Sequence, residues 1–444
     1  MKNLYQLLIL LCFIISPLQN TFAQNTPPTS SSYPEVTFNG MVRFRIESDG
    51  RFFDYKAKPL AIDLLKTQIG ATVIITPNIT LFTKLQDSRN FGEEDGTQAR
   101  GTLDGVSKNF GLREGCVQWN NFLTDGLTVK FGRMIFATNN ERLIGALDWH
   151  NVGRSYDGNV ITYKASDKTQ LRAFAFKLGH DELTMTQAKG QSPQGLLGVD
   201  ADLPWQDKLN VYYYHDRNAS LLMRGQDAGK TQLERGSVGV YVKNAISSFE
   251  YEVEITHQIG SRKTTDSTAR ANINANLATA YLLYKIQSNM AIGVGCDYYT
   301  GDDPTTTTTN ESFDHLFTTI HKFYGFMDFF PFTVLPVTGQ RKALAVTNAG
   351  LLMPYLKSLY NYDEKLSFQL WAMLFNAQQS VAATTSKNLG MEFDLNAYYT
   401  FTKNAKVEAG FSTFLPGEAV KSTNPLLGMG TDPAYWGYLM FTLQ

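Results

Sequence analysis

The most constraining feature of this sequence is the alternation of apolar and polar residues over Val36–Glu47, read VTFNGMVRFRIE. Successive side chains of a β-strand point to opposite faces, so this stretch would have one apolar face and one charged face. A strand that crosses a membrane needs roughly 9–11 residues of this kind, with lipid on one side and water on the other. An edge strand of a soluble protein can also alternate, but here Arg43 and Arg45 lie opposite a long, unbroken apolar face.

The same alternation recurs along the chain and predicts about 18 strands, an even number as in bacterial single-chain barrels. In Phe249–Gln258, for example, apolar residues alternate with Glu250, Glu252 and Glu254. The aromatic last strand would pair with the first, because an open sheet edge in lipid leaves backbone groups unsatisfied. The predicted strands are Val36–Glu47, Leu65–Val73, Ile79–Gln86, Leu112–Trp119, Leu127–Arg133, Gly158–Ala165, Gln170–Leu178, Leu197–Leu203, Leu209–Asp216, Val238–Lys243, Phe249–Gln258, Ile273–Leu283, Met290–Tyr299, Ala345–Met353, Leu366–Phe375, Met391–Phe401, Lys406–Phe414 and Trp436–Leu443.

The N-terminal segment has the features of a secretory signal peptide. Lys2 precedes an apolar core at Leu7–Ile15, and a small-residue cleavage site ends at Ala23. An uncleaved anchor helix is the alternative, but this core is too short to span a bilayer. Residues 24–34 are polar and proline-rich and predict a flexible leader. The sequence therefore predicts export, a single barrel domain over residues 35–444, and a location in the bacterial outer membrane.

Composition fits a barrel with a polar lumen. Glycine and aromatic residues are plentiful, with 35 glycines, and proline is sparse, with 15 residues. The formal net charge is −1 and the basic residues are scattered, which argues against binding nucleic acid. Cys116 and Cys296 fall in predicted strands on opposite walls, beyond the ~7 Å limit for a disulfide, and are predicted to be small buried hydrophobes. We therefore expect an all-β, closed antiparallel transmembrane barrel with short periplasmic turns and long extracellular loops.

Three stretches together resemble the alginate-export porin family. They are FGRMIFATNNERLIGALDWHNVGRSYDG at Phe131–Gly158, GDDP with the later FDHLF and HKFYGFMD within Gly301–Asp328, and LQDSRNFG at Leu85–Gly92. The first is fairly specific, and all occur in the order that the family shows. The resemblance covers essentially the whole mature chain. It implies an 18-stranded, monomeric barrel with a polar lumen, lined with arginine, through which a polyanionic polysaccharide passes.

The resemblance also suggests candidate site residues. Arg133, Arg142 and Arg154 stand in the matching motif, and Arg142 and Arg154 are candidates for loop or constriction positions that touch the solute. The alternative is that these arginines brace a loop folded into the lumen through pairs with neighbouring carboxylates. Those carboxylates would be Glu141, Asp148 or Asp157.

Charges along the predicted inner face are unevenly distributed. The early strands would carry a basic wall, facing an acidic wall across the pore. A field in that direction orients dipolar or mixed-charge sugars and does not select pure polyanions. The alternative is that the glutamate row pairs with adjacent basic side chains and only stabilises the sheet. The predicted pore-lining residues are Arg43, Arg45, Lys66, Lys84, Lys130, Arg142, Arg154, Glu250, Glu252, Glu254, Glu392 and Asp394.

Nothing in the sequence indicates catalysis. His150, His315 and His321 lie in loops near acids, but no nucleophile–base spacing stands out, and no metal or cofactor motif is apparent. The longest loop, 300–344, is too apolar for free solvation and would fold inward or pack on the rim. The sequence therefore predicts a passive channel for hydrophilic solutes, charged or neutral sugars or polysaccharide, with outer-membrane lipid around it. The alternative is a binding or assembly component whose lumen is closed by inward loops.

Overall fold

In the computed structural model, the chain forms one closed antiparallel β-barrel. The structure describes residues 33–91, 110–179, 194–205, 207–217, 232–263, 270–330, 348–380, 384–427 and 430–444. Eighteen strands make the wall, and a further two-residue strand, β14, pairs in parallel with β12. The strands are β1 Glu35–Gly50, β2 Leu60–Thr76, β3 Ile79–Asn90, β4 Gly111–Trp119, β5 Leu127–Met134, β6 Tyr156–Lys164, β7 Gln170–Gly179, β8 Gln194–Leu203, β9 Lys208–Arg217, β10 Gln232–Ile246, β11 Phe249–Lys263, β12 Ala271–Gln287, β13 Met290–Tyr299, β14 Thr309–Asn310, β15 Leu351–Asn361, β16 Leu366–Asn376, β17 Asn388–Thr402, β18 Ala405–Pro416 and β19 Ala434–Leu443.

The barrel closes where the first strand pairs with the last. β1 lies between β2 and β19, in a register that pairs Val42 with Leu443 and Gly50 with Tyr435. In β1 the apolar residues Phe38, Val42 and Ile46 are exposed on the outer face, whereas the alternating residues from Arg43 onward are buried inside. The alternation in the sequence therefore separates a lipid-facing surface from a polar interior.

The two rims of the barrel differ in loop length. At one rim, two-residue turns join strands, as at 77–78, 247–248, 288–289 and 403–404. Ser247 adopts a positive φ of 54°, as primed hairpin turns require. The opposite rim carries the long connections, including 135–155 between β5 and β6 and the segment between β13 and β15. A six-residue helix, α1 (Glu418–Thr423), lies in the long connection between β18 and β19. No helix within the described ranges has the length and apolar character needed to cross a membrane.

The predicted strands agree with the wall strands with one exception. The predicted strand at Ala345–Met353 was wrong over the residues that the structure describes, because residues 348–350 are not in a strand and β15 begins at Leu351 and continues to Asn361; residues 345–347 lie outside the described residues. Pro354 lies inside this strand, opposite Cys296 of β13, although proline usually ends a strand because it lacks an N–H donor. Cys116 and Cys296 are both free thiols on strands, as predicted, but Cys296 is only partly buried. The predicted signal peptide and most of the leader lie outside the described residues.

Candidate functional site

The lumen contains two segments of the chain, which we call the plug: residues 135–155 and residues 300–330. The sequence predicted that the second segment would either fold inward or pack on the rim, and in the structure it folds inward. The two segments are bonded through their backbones, with a parallel bridge between Ile144 and Phe317. The Phe317 N–H donates to the Leu143 carbonyl at 2.7 Å, and the Thr319 N–H donates to the Glu141 carbonyl at 3.0 Å. The plug is therefore one folded body.

An apolar core fixes the plug against the wall on the side of the long loops. Phe136 of the plug packs on Phe174 and Phe176 of β7, with ring centroids 4.8 and 4.9 Å apart. Ile144 and Phe317, at the bridge, are fully or almost fully buried. The core is formed mainly by aromatic and aliphatic side chains that point into the lumen, where an open pore would hold water. This half of the barrel is therefore closed.

Arg142 connects the plug to the acidic wall. Its guanidinium donates from Nη1 to the Asp297 carboxylate at 2.8 Å and lies 3.8 Å from a Glu254 carboxylate oxygen. Burial is the largest single influence and would lower the pKa of Arg142, but the combined charges of Asp297, Tyr324, Tyr355 and Glu254 outweigh it, so the pKa is raised well above its ordinary value. The guanidinium also stacks on the Phe323 ring, 4.0 Å from its centroid. Arg142 is 4 % exposed, so this ion pair is enclosed by protein.

A second anchor joins the plug to β10 and β11. Arg235 of β10 forms an ion pair with Asp314 of the plug at 3.0 Å and another with Asp216 of β9 at 2.8 Å. The Gln258 amide of β11 donates to the Asp314 carbonyl at 2.7 Å and accepts from the Asp314 N–H at 2.9 Å. The backbone N–H and carbonyl of Asp314 in the plug are therefore both hydrogen-bonded to the Gln258 side chain of the wall.

The basic wall binds backbone carbonyls of the plug. Arg43 donates to the carbonyl oxygens of Asp148, Trp149 and His150 at 2.8, 3.0 and 3.2 Å. Arg45 donates to the Trp149 carbonyl at 2.9 Å, and its guanidinium lies 4.3 Å above the Trp149 ring. Both side chains are buried inside the barrel, and their charges are directed at the plug.

Lys66 strengthens the same contact from β2. Its ammonium donates to the Asp148 carbonyl at 3.0 Å and lies 3.3 Å from the Asp148 carboxylate. The basic and acidic walls thus contact opposite sides of the plug, which occupies part of the space between them.

Two carboxylates of β17 also hold the plug against the wall. Glu392 accepts a hydrogen bond from the Met327 N–H at 2.9 Å, and Asp394 accepts one from the Phe326 N–H at 3.3 Å. Gly325 adopts a φ of +89°, and a Cβ there would lie 2.5 Å from a Glu392 carboxylate oxygen. The tight approach of the plug backbone to this wall therefore requires glycine.

The other predicted pore-lining residues have local partners. Lys84 pairs with Glu114 at 3.1 Å, and Glu250 pairs with Lys285 at 2.5 Å. Lys130 lies over the Phe82 ring, 5.0 Å from its centroid. The Glu252 carboxylate accepts a hydrogen bond from the Asn140 amide of the plug at 2.6 Å. Much of the predicted charge on the wall is therefore compensated within the protein.

The motif arginines brace the structure in different ways. Arg154 donates to the Gly145 carbonyl at 2.9 Å and to the Phe317 carbonyl, and so fastens the two plug segments together. Arg133 lies on the outer face and pairs with Asp157 at 2.7 Å. Within the motif, Arg142 is thus the arginine that joins the plug to a charged wall.

A chamber of about 480 Å³ remains open beside the plug. Its wall side includes Lys357 of β15, Trp371 at the middle of β16, Tyr398 of β17, and inward residues from Tyr438 of the last strand to Gln444. Its plug side is formed by Glu141, Asp148, Trp149, Thr319, His321, Lys322 and Phe326. The Gln444 N–H donates to the Asn404 carbonyl in the short turn between β17 and β18, so the lining of the chamber extends to the rim that carries the short turns.

His315 lies inside the plug, where Nδ1 is 3.2 Å from the Tyr324 hydroxyl. Burial, together with the positive charges of Arg142 and Arg235, lowers the pKa of His315 well below its usual value. The imidazole is therefore neutral at physiological pH and contributes to packing.

Sequence reasoning missed several residues that hold the plug. Arg235 was overlooked because the predicted strand began at Val238, although Arg235 continues the inward alternation toward the N-terminus of β10. Asp314 and Trp149 carry no local signal, because their roles depend on contacts with distant strands. Extending the alternation of β10 would have identified Arg235.

Comparisons with known proteins agree with this architecture. No curated protein sequence matches. Among solved structures, OpdK from Pseudomonas aeruginosa has a TM-score of 0.58 at 8% identity, covering 92% of this chain and 98% of that one. OccAB4 from Acinetobacter baumannii gives 0.57 at 11% identity, covering 92% and 97%. A BenF-like porin from Pseudomonas fluorescens Pf-5 gives 0.56 at 11%, covering 92% and 98%.

These structures share the fold of outer-membrane porins with this chain. The family model described as alginate export matches residues 35–427, nearly the whole barrel. The family and the fold are those of transport porins and not of known enzymes. The chain therefore belongs to the alginate export family of bacterial outer-membrane proteins.

Proposed function

We propose that this protein is an outer-membrane channel for hydrophilic solutes, in particular sugars or polysaccharide, that is closed at rest by its plug. The observation that carries this proposal is the nature of the plug anchors. Arg142 of the plug reaches the wall, and Arg43 and Lys66 of the wall reach the plug, mainly through ionic and hydrogen-bonding contacts. Such contacts can be exchanged for contacts with water or solute. The chamber provides an entrance on the short-turn side. The protein acts as a monomer, and selectivity comes from the lumen charges that plug movement uncovers.

The alternative is a barrel that binds or assembles other components and never conducts. The apolar core around Phe136 and Phe317 favours this alternative, because opening the long-loop half would expose buried aromatic rings. The two functions differ in a single property, which is passage through the lumen once the plug is released.

A liposome-swelling assay with graded sugars tests the proposal. The released variant combines Arg142→Met with replacement of residues 302–346 by a short Gly-Ser linker, and heat-modifiable gel migration confirms barrel closure. We expect faster sugar entry than with the intact protein or with empty liposomes. A closed, correctly migrating barrel that still admits no sugar would establish the alternative.

A further inference from the structure

Two basic side chains flank a glycine on the lipid-facing surface, near the long-loop ends of β7, β8 and β9. In the strand register, Lys177 of β7 pairs with Gly195 of β8, and Gly195 pairs with Arg217 of β9. The neighbouring residues Phe176 and Asp216 are buried inside the barrel. Because successive side chains of a strand alternate, Lys177 and Arg217 point outward. We call the surface formed by Lys177, Gly195 and Arg217 the cationic site.

The glycine leaves open surface between the two cations. Adjacent strands lie about 4.8 Å apart, so the Cα atoms of Lys177 and Arg217 are separated by roughly 10 Å. Among the described residues, a Cβ at Gly195 would meet only the Phe176 carbonyl oxygen, at 3.7 Å. Lysine and arginine have long, flexible stems. Both charged ends can therefore reach one group that lies over Gly195.

Lys177 lacks a carboxylate partner. Asp157 lies directly opposite Lys177 on β6, but its carboxylate is paired with Arg133 at 2.7 Å. Among the residues that the structure describes, no carboxylate lies within ion-pair distance of the Lys177 ammonium, and the side chain is exposed. An anion over Gly195 would supply the missing partner.

Arg217 is only partly engaged by its neighbours. Glu234, opposite Arg217 on β10, lies 3.0 Å from Arg217 Nε and 2.9 Å from His215 Nε2. One carboxylate is thus shared between two side chains. A guanidinium carries five N–H donors in a planar fork and suits the oxygens of a phosphate. The Arg217 side chain is 39 % exposed, so it can contact a ligand on the outer face.

The cationic site lies at the level of lipid headgroups. On the same outward face of β9, Val211 and Tyr213 are exposed and precede Arg217. Val199 of β8 is exposed on the same face as Gly195. These apolar side chains face lipid hydrocarbon, and the cations follow them toward the rim with the long loops, which is the extracellular rim of outer-membrane barrels. In a bacterial outer membrane, the phosphorylated headgroups of the outer-leaflet glycolipid occupy this level.

The opposite side of the barrel does not repeat this arrangement. Near the long-loop ends of β15, β16, β17 and β18, the exposed outward residues are apolar. They are Leu352, Leu374, Met391 and Leu415. The cationic site is therefore a local feature of the wall and not a general property of the rim.

We propose that the cationic site binds a phosphate group of the outer-leaflet glycolipid, held over Gly195 between Lys177 and Arg217. Basic pockets on the surface of membrane proteins bind anionic headgroups in this way. The acyl chains of the same lipid would lie along the exposed side chains of Val199 and Val211. The inference goes beyond the channel function, because the site lies on the outer face and needs no passage through the lumen.

Native mass spectrometry of the purified full chain in detergent tests this site. The probes are diphosphoryl lipid A, the same lipid without its phosphates, and phosphatidylglycerol. Each basic residue near an anionic headgroup contributes about fivefold to affinity. The combined substitutions Lys177→Gln and Arg217→Gln should therefore weaken the binding of diphosphoryl lipid A roughly thirtyfold, and removal of its phosphates should have a similar effect.

Two further variants make the result specific. Gly195→Glu keeps both cations but places a carboxylate between them, and it should weaken binding about as much as the double substitution. The combined Lys365→Gln and Lys403→Gln protein is the matched control, because it loses two exposed lysines from the turns of the opposite rim. Its affinity for diphosphoryl lipid A should stay within about twofold. Heat-modifiable gel migration confirms that each variant forms a closed barrel.

The proposal is overturned if the unchanged barrel does not bind diphosphoryl lipid A, or if the Lys177→Gln and Arg217→Gln protein binds it equally well. It is also overturned if phosphatidylglycerol binds as tightly and with the same dependence on these two residues, since the surface would then accept any anionic lipid. The liposome-swelling assay measures passage through the lumen, so the channel proposal and this one can fail separately.

Discussion

Replacing Arg142 by methionine should release the plug from the acidic wall. The substitution keeps an unbranched side chain over Phe323 but leaves the buried Asp297 carboxylate without its cation. Removing one partner of a buried ion pair typically costs about 3–5 kcal/mol. If the loss falls on the closed state alone, the ratio of open to closed channels rises by about two to nearly four powers of ten.

Single-channel recording in planar bilayers measures this ratio directly. Arg133→Met is the matched control, because Arg133 also forms an Arg–Asp pair but lies 38 % exposed on the outer face. Such a pair contributes about 0–1 kcal/mol, so openings should change by less than about tenfold. Adding Asp297→Asn to Arg142→Met should restore part of the closure, because it removes the uncompensated charge. If channels of the Arg142→Met and Arg133→Met proteins open equally rarely, the buried Arg142–Asp297 pair does not hold the plug closed.

Three further perturbations test other contacts of the plug. Gly325→Ala should increase channel openings, because the new Cβ would lie 2.5 Å from Glu392 Oε1 and the backbone there has a φ of +89°. Gly111→Ala is the control, because a Cβ at Gly111 would have no atom within 4 Å, and it should not increase openings. Equal opening rates in the two variants would argue against the contact between Gly325 and Glu392. Because the pKa of His315 is lowered in the closed plug, release takes up a proton, and acidification below about pH 6.5 should favour opening by up to about 1.4 kcal/mol per pH unit. His315→Gln should lose this part of the pH dependence, and an unchanged profile between pH 7 and 5 would contradict the assignment. Arg43→Lys should also raise openings, because one ammonium cannot reproduce the fork that reaches three carbonyls, and wild-type behaviour would exclude this role.

The wall of the barrel could be predicted from the sequence because its signal is local. In Val36–Glu47 the two-residue period alone separates the lipid-facing side from the lumen, and the same period placed Glu250 and Glu254 inside. Pro354 marks the limit of this reasoning, since a local rule against proline conflicted with the pairing of β15 and β13.

The plug could not be predicted in the same way. The position of Arg142 opposite Asp297 depends on how a loop crosses the lumen, and these residues are 155 positions apart. Opposite charges on the walls were visible in the sequence, but the loop that lies between them was not. Folding of the aromatic stretch after residue 312 was foreseen only as one of two possibilities, because its apolar character does not specify its partner.

A cross-link between plug and wall shows whether the plug is the element that closes the lumen. Asn140 and Glu252, whose side chains meet at 2.6 Å, are replaced by cysteine in an Arg142→Met protein that also carries Cys116→Ser and Cys296→Ser. A short bismaleimide then joins plug and wall, and cysteines at Arg133 and Asp157 form the control pair on the outer face. We expect the Asn140–Glu252 bridge to abolish the channel current and the control bridge to leave it unchanged. A current that persists through the bridged protein would contradict this expectation, because solutes would then bypass the space that the plug fills.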